Sequence, residues 1–350
     1  MLYYASMSLS RILCKIFTDR HMGDDLPFTL GALATRALIY TGRKLYRSDT
    51  SGRGAYALAP CETALDFDQS IDYLDEHVRA GKPFMAGKIG TGDGESLNRY
   101  LDITADESRL VKFLKVLGGR RYPFWWDNSI RGGICVCAGV FPIQDAAIEE
   151  FCRIFMTYCP EFDGFARCTY GERRLYDRLC PHATPIVMDA LVPLATPHTW
   201  YGALAGKKVL VVHQYGKTIQ QQYDKHVEFH KGQGPLPAFD LLHYRPVNSA
   251  GGRCDGFATW PEALQHMIDD ISKLDFDVAL LGCGVYGVPL SAHIKRMGKI
   301  AIYTGGATQV IFGIKGRRWD NRGLYNEHWT RPLPEDIPPR MEMIEGGNFI

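Results

Sequence analysis

Apolar positions along the chain alternate between short continuous runs and stripes at helical spacing. The clearest strand is the run KKVLVV at residues 207–212, and in the stretch 64–80 Ile71, Leu74 and Val78 recur at helical spacing. Gly81 follows that stripe and predicts the end of the helix. Further strands are predicted at 84–89, 184–191, 241–247, 277–281 and 300–303, and further helices at 96–100, 146–158, 218–229, 260–274 and 289–297.

The order of these elements predicts an α/β fold. Beyond residue 200 strands and helices alternate, which is typical of a doubly wound parallel sheet. We therefore expect Rossmann-like parallel sheets with helices on both faces. The expected organisation is an N-terminal, partly helical extension at 1–60, a Rossmann-like half at 61–200, a second half at 201–330 and a tail at 331–350.

The composition narrows the class of protein without changing this fold. The 350 residues carry 40 Lys and Arg against 39 Asp and Glu, a net charge of +1, and 46% of them are hydrophobic. Such values are ordinary for a globular protein and exclude collagen-like, disordered and small disulfide-stapled chains. Because a near-neutral chain lacks the basic footprint of a nucleic-acid binder, we expect no nucleic-acid partner.

The expected compartment follows from the cysteines and the apolar segments. The ten cysteines include no CxxC pair, which favours buried thiols in a reducing cytosol over a zinc site or disulfides. No uninterrupted apolar stretch reaches the ~20 residues that span a bilayer. We expect a cytoplasmic protein, and the basic N-terminal segment leaves open a peripheral association with the inner face of the membrane.

Candidate chemistry is concentrated in glycine-rich loops that follow predicted strands, because ligands of open α/β sheets bind at the carboxyl ends of the strands. Gly282, Gly284 and Gly287 form a GxGxxG pattern between a strand and a helix, the context of a dinucleotide-binding loop. The next strand ends without the acidic residue that would hold a ribose. Nucleotide-phosphate binding is therefore favoured over nicotinamide binding, with a ligand-free tight turn as the alternative.

A second loop contains carboxylates. Residues 90–95 read GTGDGE, in which Gly90, Thr91 and Gly92 precede Asp93 and Glu95. Two acids in a D-x-E arrangement on a loop are able to hold one Mg²⁺ or Mn²⁺ ion beside a substrate phosphate. The alternative is a helix start in which Asp93 caps the helix and Glu95 interacts with its dipole.

A third glycine loop and one histidine complete the candidate site. Gly305, Gly306 and Thr308 lie in the loop after the strand at 300–303 and are suited to donating amides and a hydroxyl to a phosphate or sugar. His213 ends the KKVLVV strand, where it would contact substrate or act as a general base. A plain helix start and a structural histidine are the respective alternatives.

The loop GTGDGE and the later segment ALLGCGVYGVPLSAHIKRMGK together resemble the GT-D-type glycosyltransferases, bacterial enzymes of surface-polysaccharide and glycoprotein assembly. The string GDGE at 92–95 is similar to the start of the D-x-E motif of that family, whereas KIGT at 88–91 departs from its usual basic-aromatic lead-in. The resemblance extends from about residue 80 to the end of the tail. It implies a GT-D-like fold, a nucleotide-sugar donor such as a UDP-sugar, and a Mn²⁺ or Mg²⁺ ion held by Asp93 and Glu95.

The resulting expectation is a metal-dependent glycosyltransferase that moves a sugar from a nucleotide-sugar to a glycan or polysaccharide acceptor. In this view the glycine loops would line the donor cleft, and His213 would deprotonate the acceptor hydroxyl. Two other functions stay open at this point. One is an NAD(P)-dependent oxidoreductase that uses the GxGxxG loop, and the other is a non-catalytic protein that binds a nucleotide or sugar.

Overall fold

The computed structural model describes residues 64–117, 122–168, 171–194 and 196–350. The extension predicted at 1–60 lies outside the described residues. Within them, no helix is both long enough and apolar enough to cross a lipid bilayer. All eight cysteines that the structure describes are free thiols.

One parallel sheet forms the centre of the molecule. Its strands follow the spatial order β3-β2-β1-β7-β6-β4-β5, and every neighbouring pair is parallel. The expected α/β fold, with a Rossmann-like parallel sheet between helices, is confirmed. The seven strands are β1 (Phe84–Gly87), β2 (Gly164–Arg167), β3 (Thr184–Val187), β4 (Lys208–Val212), β5 (Asp240–Tyr244), β6 (Val278–Leu281) and β7 (Ile300–Tyr303).

The two predicted halves share this sheet. Strands β1 to β3 come from the stretch 61–200 and strands β4 to β7 from the stretch 201–330. They are joined where β7 pairs with β1, in a register that places Met85 opposite Ala301 and Ala86 opposite Ile302. The late strand β7 thus lies between β1 and β6 near the centre of the sheet.

Helices connect the strands and cover the sheet. A π-helix (Gly132–Cys137) and several 3₁₀ turns, among them Tyr201–Leu204 and Gly284–Tyr286, complete the described regular structure. The helices are α1 (Phe67–Ala80), α2 (Thr91–Ile103), α3 (Arg109–Leu117), α4 (Asn128–Arg131), α5 (Asp145–Tyr158), α6 (Glu172–Leu179), α7 (Gly216–Asp224), α8 (Trp260–Ile271), α9 (Gly287–Arg296) and α10 (Thr308–Ile311).

Side chains alternate between two cores, one on each face of the sheet. Met85 and Ala301 point to the first face, where they pack with residues of α2, α5, α6, α8 and α9. Ala86 and Ile302 point to the second face, where they pack with residues of α1, α7 and α10. Because strands buried on both faces need apolar residues at every position, β1, β6 and β7 are continuous apolar runs, as their sequences predict.

The connections after neighbouring central strands leave toward opposite faces. The chain passes from β1 to α2 and from β6 to α9 on the first face, and from β7 to α10 and from β4 to α7 on the second. In doubly wound sheets ligands usually bind at the carboxyl ends of strands whose connections diverge in this way. We call the space above the carboxyl ends of β1, β7, β6 and β4 the central crevice.

Helix boundaries follow local capping. Asp66 and Thr259 form capping boxes at α1 and α8, and Gly81 ends α1 in the left-handed conformation, as predicted. Helix α7 ends at Asp224 rather than at 229, next to His226, whose φ is positive. Helix α2 begins at Thr91, so most of the segment 90–95 is the first turn of a helix rather than a loop.

Tyr303 at the end of β7 fixes the spacing of three elements. A Cβ atom at Gly87 would lie 2.8 Å from Cβ of Tyr303, and one at Gly287 would lie 2.1 Å from Cε2 of its ring. The Tyr303 hydroxyl donates a hydrogen bond of 2.9 Å to the carbonyl oxygen of Gly284. Glycine at 87 and 287 therefore lets the tyrosine ring fit between β1 and α9.

We expect Gly287→Ala to destabilise the protein by about 1–3 kcal/mol, the usual cost of overpacking. The backbone at Gly287 is ordinary right-handed helix with φ −60°, so the cost would come from the clash with Tyr303. Urea unfolding measures it. The matched control is Gly132→Ala, where nothing lies within 4 Å of the new methyl group. Equal stabilities of the two variants would contradict this account of Tyr303.

Candidate functional site

The structure brings the three predicted glycine loops and His213 together at the central crevice. A Cβ atom at Gly282 would lie 2.5 Å from Cδ2 of His213 and 2.6 Å from Oγ1 of Thr308. A Cβ atom at Gly305 would lie 3.1 Å from Cε of Lys88, which follows β1. The ends of β4, β6, β7 and β1 are thus in mutual contact through small residues.

Several of the candidate glycines have packing roles at these positions. Gly284 adopts the left-handed conformation, with φ +58°, in the turn between β6 and α9. Gly287 accommodates the ring of Tyr303, and a Cβ atom at Gly306 would lie 2.1 Å from the Phe349 ring. The tail residue Phe349 therefore packs against Gly306, which is only partly exposed.

Thr308 supports its own loop rather than presenting a free hydroxyl. The Thr308 hydroxyl donates a 2.7 Å hydrogen bond to the carbonyl oxygen of Gly305 and contacts the hydroxyl of Thr304. Both threonines are buried. The predicted role of Thr308 as a direct phosphate ligand gives way to one in which it shapes the turn at 304–308.

Asp93 is a buried carboxyl group at the edge of the central crevice. It is 5% exposed. Burial raises its pKa to about 6, although the nearby Lys88 ammonium and a hydrogen bond from the Gly90 amide oppose the rise. Its carboxylate folds back toward Gly90, where a Cβ atom would lie 2.9 Å from Oδ2. A carboxyl group that titrates near neutrality is suited to proton transfer.

Glu95 points away from Asp93. Both residues lie in α2, and residues two apart in a helix are about 200° apart around its axis. Glu95 forms an ion pair of 2.8 Å with Arg99, one turn along the same helix, and Arg99 also binds Asp127 at 2.8 Å. In the expected D-x-E geometry the two acids lie in a loop and point to the same side. Because Asp93 and Glu95 lie in the first turns of α2, they do not point to the same side.

The residues present do not fit a two-carboxylate metal centre. Asp93 and Glu95 do not converge on a common point, and Glu95 is already neutralised by Arg99. Among the residues that the structure describes, no group of three or more His, Cys, Asp and Glu side chains is arranged to hold a metal ion. The predicted assignment of Mn²⁺ or Mg²⁺ to this pair therefore loses its geometric basis.

His213 is a neutral hydrogen-bond donor in this structure. Its Nδ1 atom accepts the backbone N–H of Tyr215 at 3.1 Å, so the proton of the neutral ring lies on Nε2. Burial, assisted by His243, lowers its pKa to about 3. Because its remaining nitrogen already carries a proton at neutral pH, His213 does not fit the predicted role of general base.

Sequence reasoning missed Lys88 and Cys168. The Lys88 ammonium lies 3.7 Å from Sγ of Cys168, which follows β2. Lysine directly after a buried strand and before a glycine loop was the signal in the sequence. Cys168 carried no such signal, because only the adjacent pairing of β1 and β2 brings it to the central crevice.

The start of α2 is less fully occupied than the start of α7, although the Asp93 carboxylate already accepts the Gly90 amide there. Gly90 provides no side-chain cap for α2, and the nearest atom to a Cβ at Gly92 is a π-helix carbonyl oxygen 4.0 Å away. By contrast, the Asp336 carboxylate from the tail accepts both the backbone N–H and the hydroxyl of Thr218, each at 2.6 Å. Asp336 therefore occupies the place where an anion would bind α7.

A cavity of about 230 Å³ lies on the second face of the sheet. Its walls include Tyr201, Phe229, His230 and Ile311, and none of the candidate glycines or acids lines it. The predicted site residues thus belong to the central crevice and not to this cavity.

A scan against models of known protein families, a search of curated proteins and a search of solved structures find no match to this chain.

We expect Asp93→Asn to raise the free energy of unfolding at alkaline pH relative to the original protein. The folded pKa of Asp93, about 6, lies above the ordinary value of 3.8, so the folded state holds this proton more tightly and its stability falls as pH rises from about 4 through 6, then levels off. The stability difference should be small near pH ~4 and grow to about 3 kcal/mol by pH ~8. Urea unfolding across this range measures it, and a difference that does not change with pH would contradict the assignment.

Proposed function

We propose that the protein is a glycosyltransferase that binds the diphosphate of a nucleotide-sugar in the central crevice. The convergence of the loops after β1, β6, β7 and β4 at one edge of a parallel sheet carries this proposal. Doubly wound sheets bind nucleotides at this position. The resemblance of GTGDGE and of the segment around the GxGxxG loop to GT-D-type enzymes selects sugar transfer among the reactions of nucleotides.

Two parts of the crevice are suited to the donor. The uncapped first turn of α2 presents the backbone N–H groups of Thr91 and Gly92, and helix N-termini attract phosphate. Because Gly282 has no side chain, it leaves space beside His213. In this proposal the Nε2–H group of His213 donates a hydrogen bond to an oxygen of the substrate.

Asp93 is the residue best suited to remove the proton of the acceptor. The oxygen of the acceptor hydroxyl would form a bond to the anomeric carbon as the bond from that carbon to the diphosphate breaks. The hydroxyl proton would pass to the Asp93 carboxylate, and the electron pair of the broken bond would stay on the diphosphate. With a pKa of about 6, Asp93 is mostly ionised at neutral pH and still basic enough to accept that proton. A glycan or polysaccharide hydroxyl is the proposed acceptor.

The oxidoreductase alternative is disfavoured by the end of β7. The residues there are Tyr303 and Thr304, and neither supplies the carboxylate that holds the ribose of NAD. Tyr303 is buried, and its hydroxyl donates a hydrogen bond to the carbonyl oxygen of Gly284.

Thermal unfolding with a ligand panel tests the proposal, since a ligand of the native state raises the transition temperature. We expect UDP or a UDP-sugar to raise it, and uridine and the free sugar to leave it unchanged, because the crevice is proposed to bind phosphate. GDP, CMP and NADH discriminate the nucleotide class. Incubation with the UDP-sugar that binds should then release UDP on addition of a glycan acceptor. Stabilisation by NADH alone would contradict sugar transfer and favour the oxidoreductase.

A further inference from the structure

We infer that the Lys88 ammonium, rather than a divalent cation, neutralises the diphosphate of the donor. This inference rests on the proposed function and deepens it, because it assigns the positive charge of the site to a residue of the chain. It begins from the disagreement between the expected metal pair and the geometry of α2.

The position of Lys88 is central in the crevice. Lys88 directly follows β1, its Cε atom lies beside Gly305 after β7, and its Nζ atom lies 3.7 Å from Sγ of Cys168 after β2. Its charge is close enough to Asp93 to lower the pKa of that carboxyl group. One ammonium group therefore faces the carboxyl ends of three neighbouring strands.

Lys88 forms no direct ion pair with a carboxylate of the described residues. No carboxylate among the described residues lies within 4.0 Å of its Nζ atom, and its hydrogen bond to a thiol is weak. Other partly buried lysines differ: Lys295 binds Asp163 at 2.8 Å and Lys115 binds Glu107 at 2.7 Å. A half-buried ammonium without an anionic partner is costly, and a phosphate oxygen would supply that partner.

The Asp93 carboxylate does not form an ion pair with the Lys88 ammonium. It folds back on Gly90 and accepts the amide of that residue. The second carboxylate of the predicted pair, Glu95, forms an ion pair with Arg99 on another side of α2. Among the described residues, Asp93 and Glu95 therefore do not converge, and the buried Glu172 carboxylate accepts the backbone N–H of Cys168 rather than pairing with Lys88. This arrangement suits an anionic ligand without a bridging metal ion.

Lys88→Met tests the inference, with Lys82→Met as the matched control. Lys82 is exposed and precedes β1 at its other end, so both variants lose the same charge from opposite ends of one strand. The probes are UDP and inorganic pyrophosphate, titrated calorimetrically in EDTA and separately with Mn²⁺. Lys88→Arg, which keeps the charge, should restore part of the affinity lost in Lys88→Met.

We expect both probes to bind the original protein in EDTA, and Lys88→Met to weaken them by about 10- to 100-fold, as for a lost charged hydrogen bond. Lys82→Met should bind as the original protein does. Binding that requires Mn²⁺ and tolerates Lys88→Met would overturn the inference and leave the proposed function standing. Failure of both probes to bind with or without Mn²⁺ would overturn both. Lys88→Gln serves as the second variant if thermal unfolding shows that methionine alters the fold.

Discussion

The arrangement of the central crevice depends on the packing of the Tyr303 ring between β1 and α9. That ring fills the space left by Gly87 and Gly287, and its hydroxyl binds the carbonyl oxygen of Gly284. One side chain thereby sets the distances among β1, β7 and the start of α9. Lys88 and Gly305 follow β1 and β7, and Gly282 lies in the loop that leads into α9. The spacing of the candidate site is therefore fixed by packing rather than by the loops themselves.

The fold was largely predictable because its signals are local. Continuous apolar runs identify β1, β4, β6 and β7, and capping residues such as Asp66 and Thr259 mark helix starts. The order of the strands is not local: the two apolar faces of β7 place it in the interior of the sheet, but they do not select β1 and β6 as its neighbours. Nothing in a run of four apolar residues states which neighbours it will have.

The candidate site was predicted in its position but not in its chemistry. The glycine loops do meet at the carboxyl edge, as expected from a parallel sheet. Their roles depend on contacts that are distant in sequence. The Phe349 ring occupies the space that a side chain at position 306 would need. The backbone N–H of Tyr215 determines which nitrogen of His213 carries the proton. The D-x-E interpretation depended on a loop at residues 90–95, and the alternative, a helix start, describes the local structure, because the helix begins at Thr91.

In the proposed function, Lys88 and Asp93 serve the ligand rather than the stability of the fold. A buried carboxyl group with a raised pKa reduces the stability of the folded protein when it is ionised. If Lys88 and Asp93 served the fold alone, they would form an ion pair with each other, as Lys295 and Asp163 do at the amino end of the sheet. Instead Asp93 turns to the Gly90 amide and leaves the ammonium available. In the proposed function, that separation leaves Asp93 to take the proton of the acceptor and Lys88 to bind the phosphate.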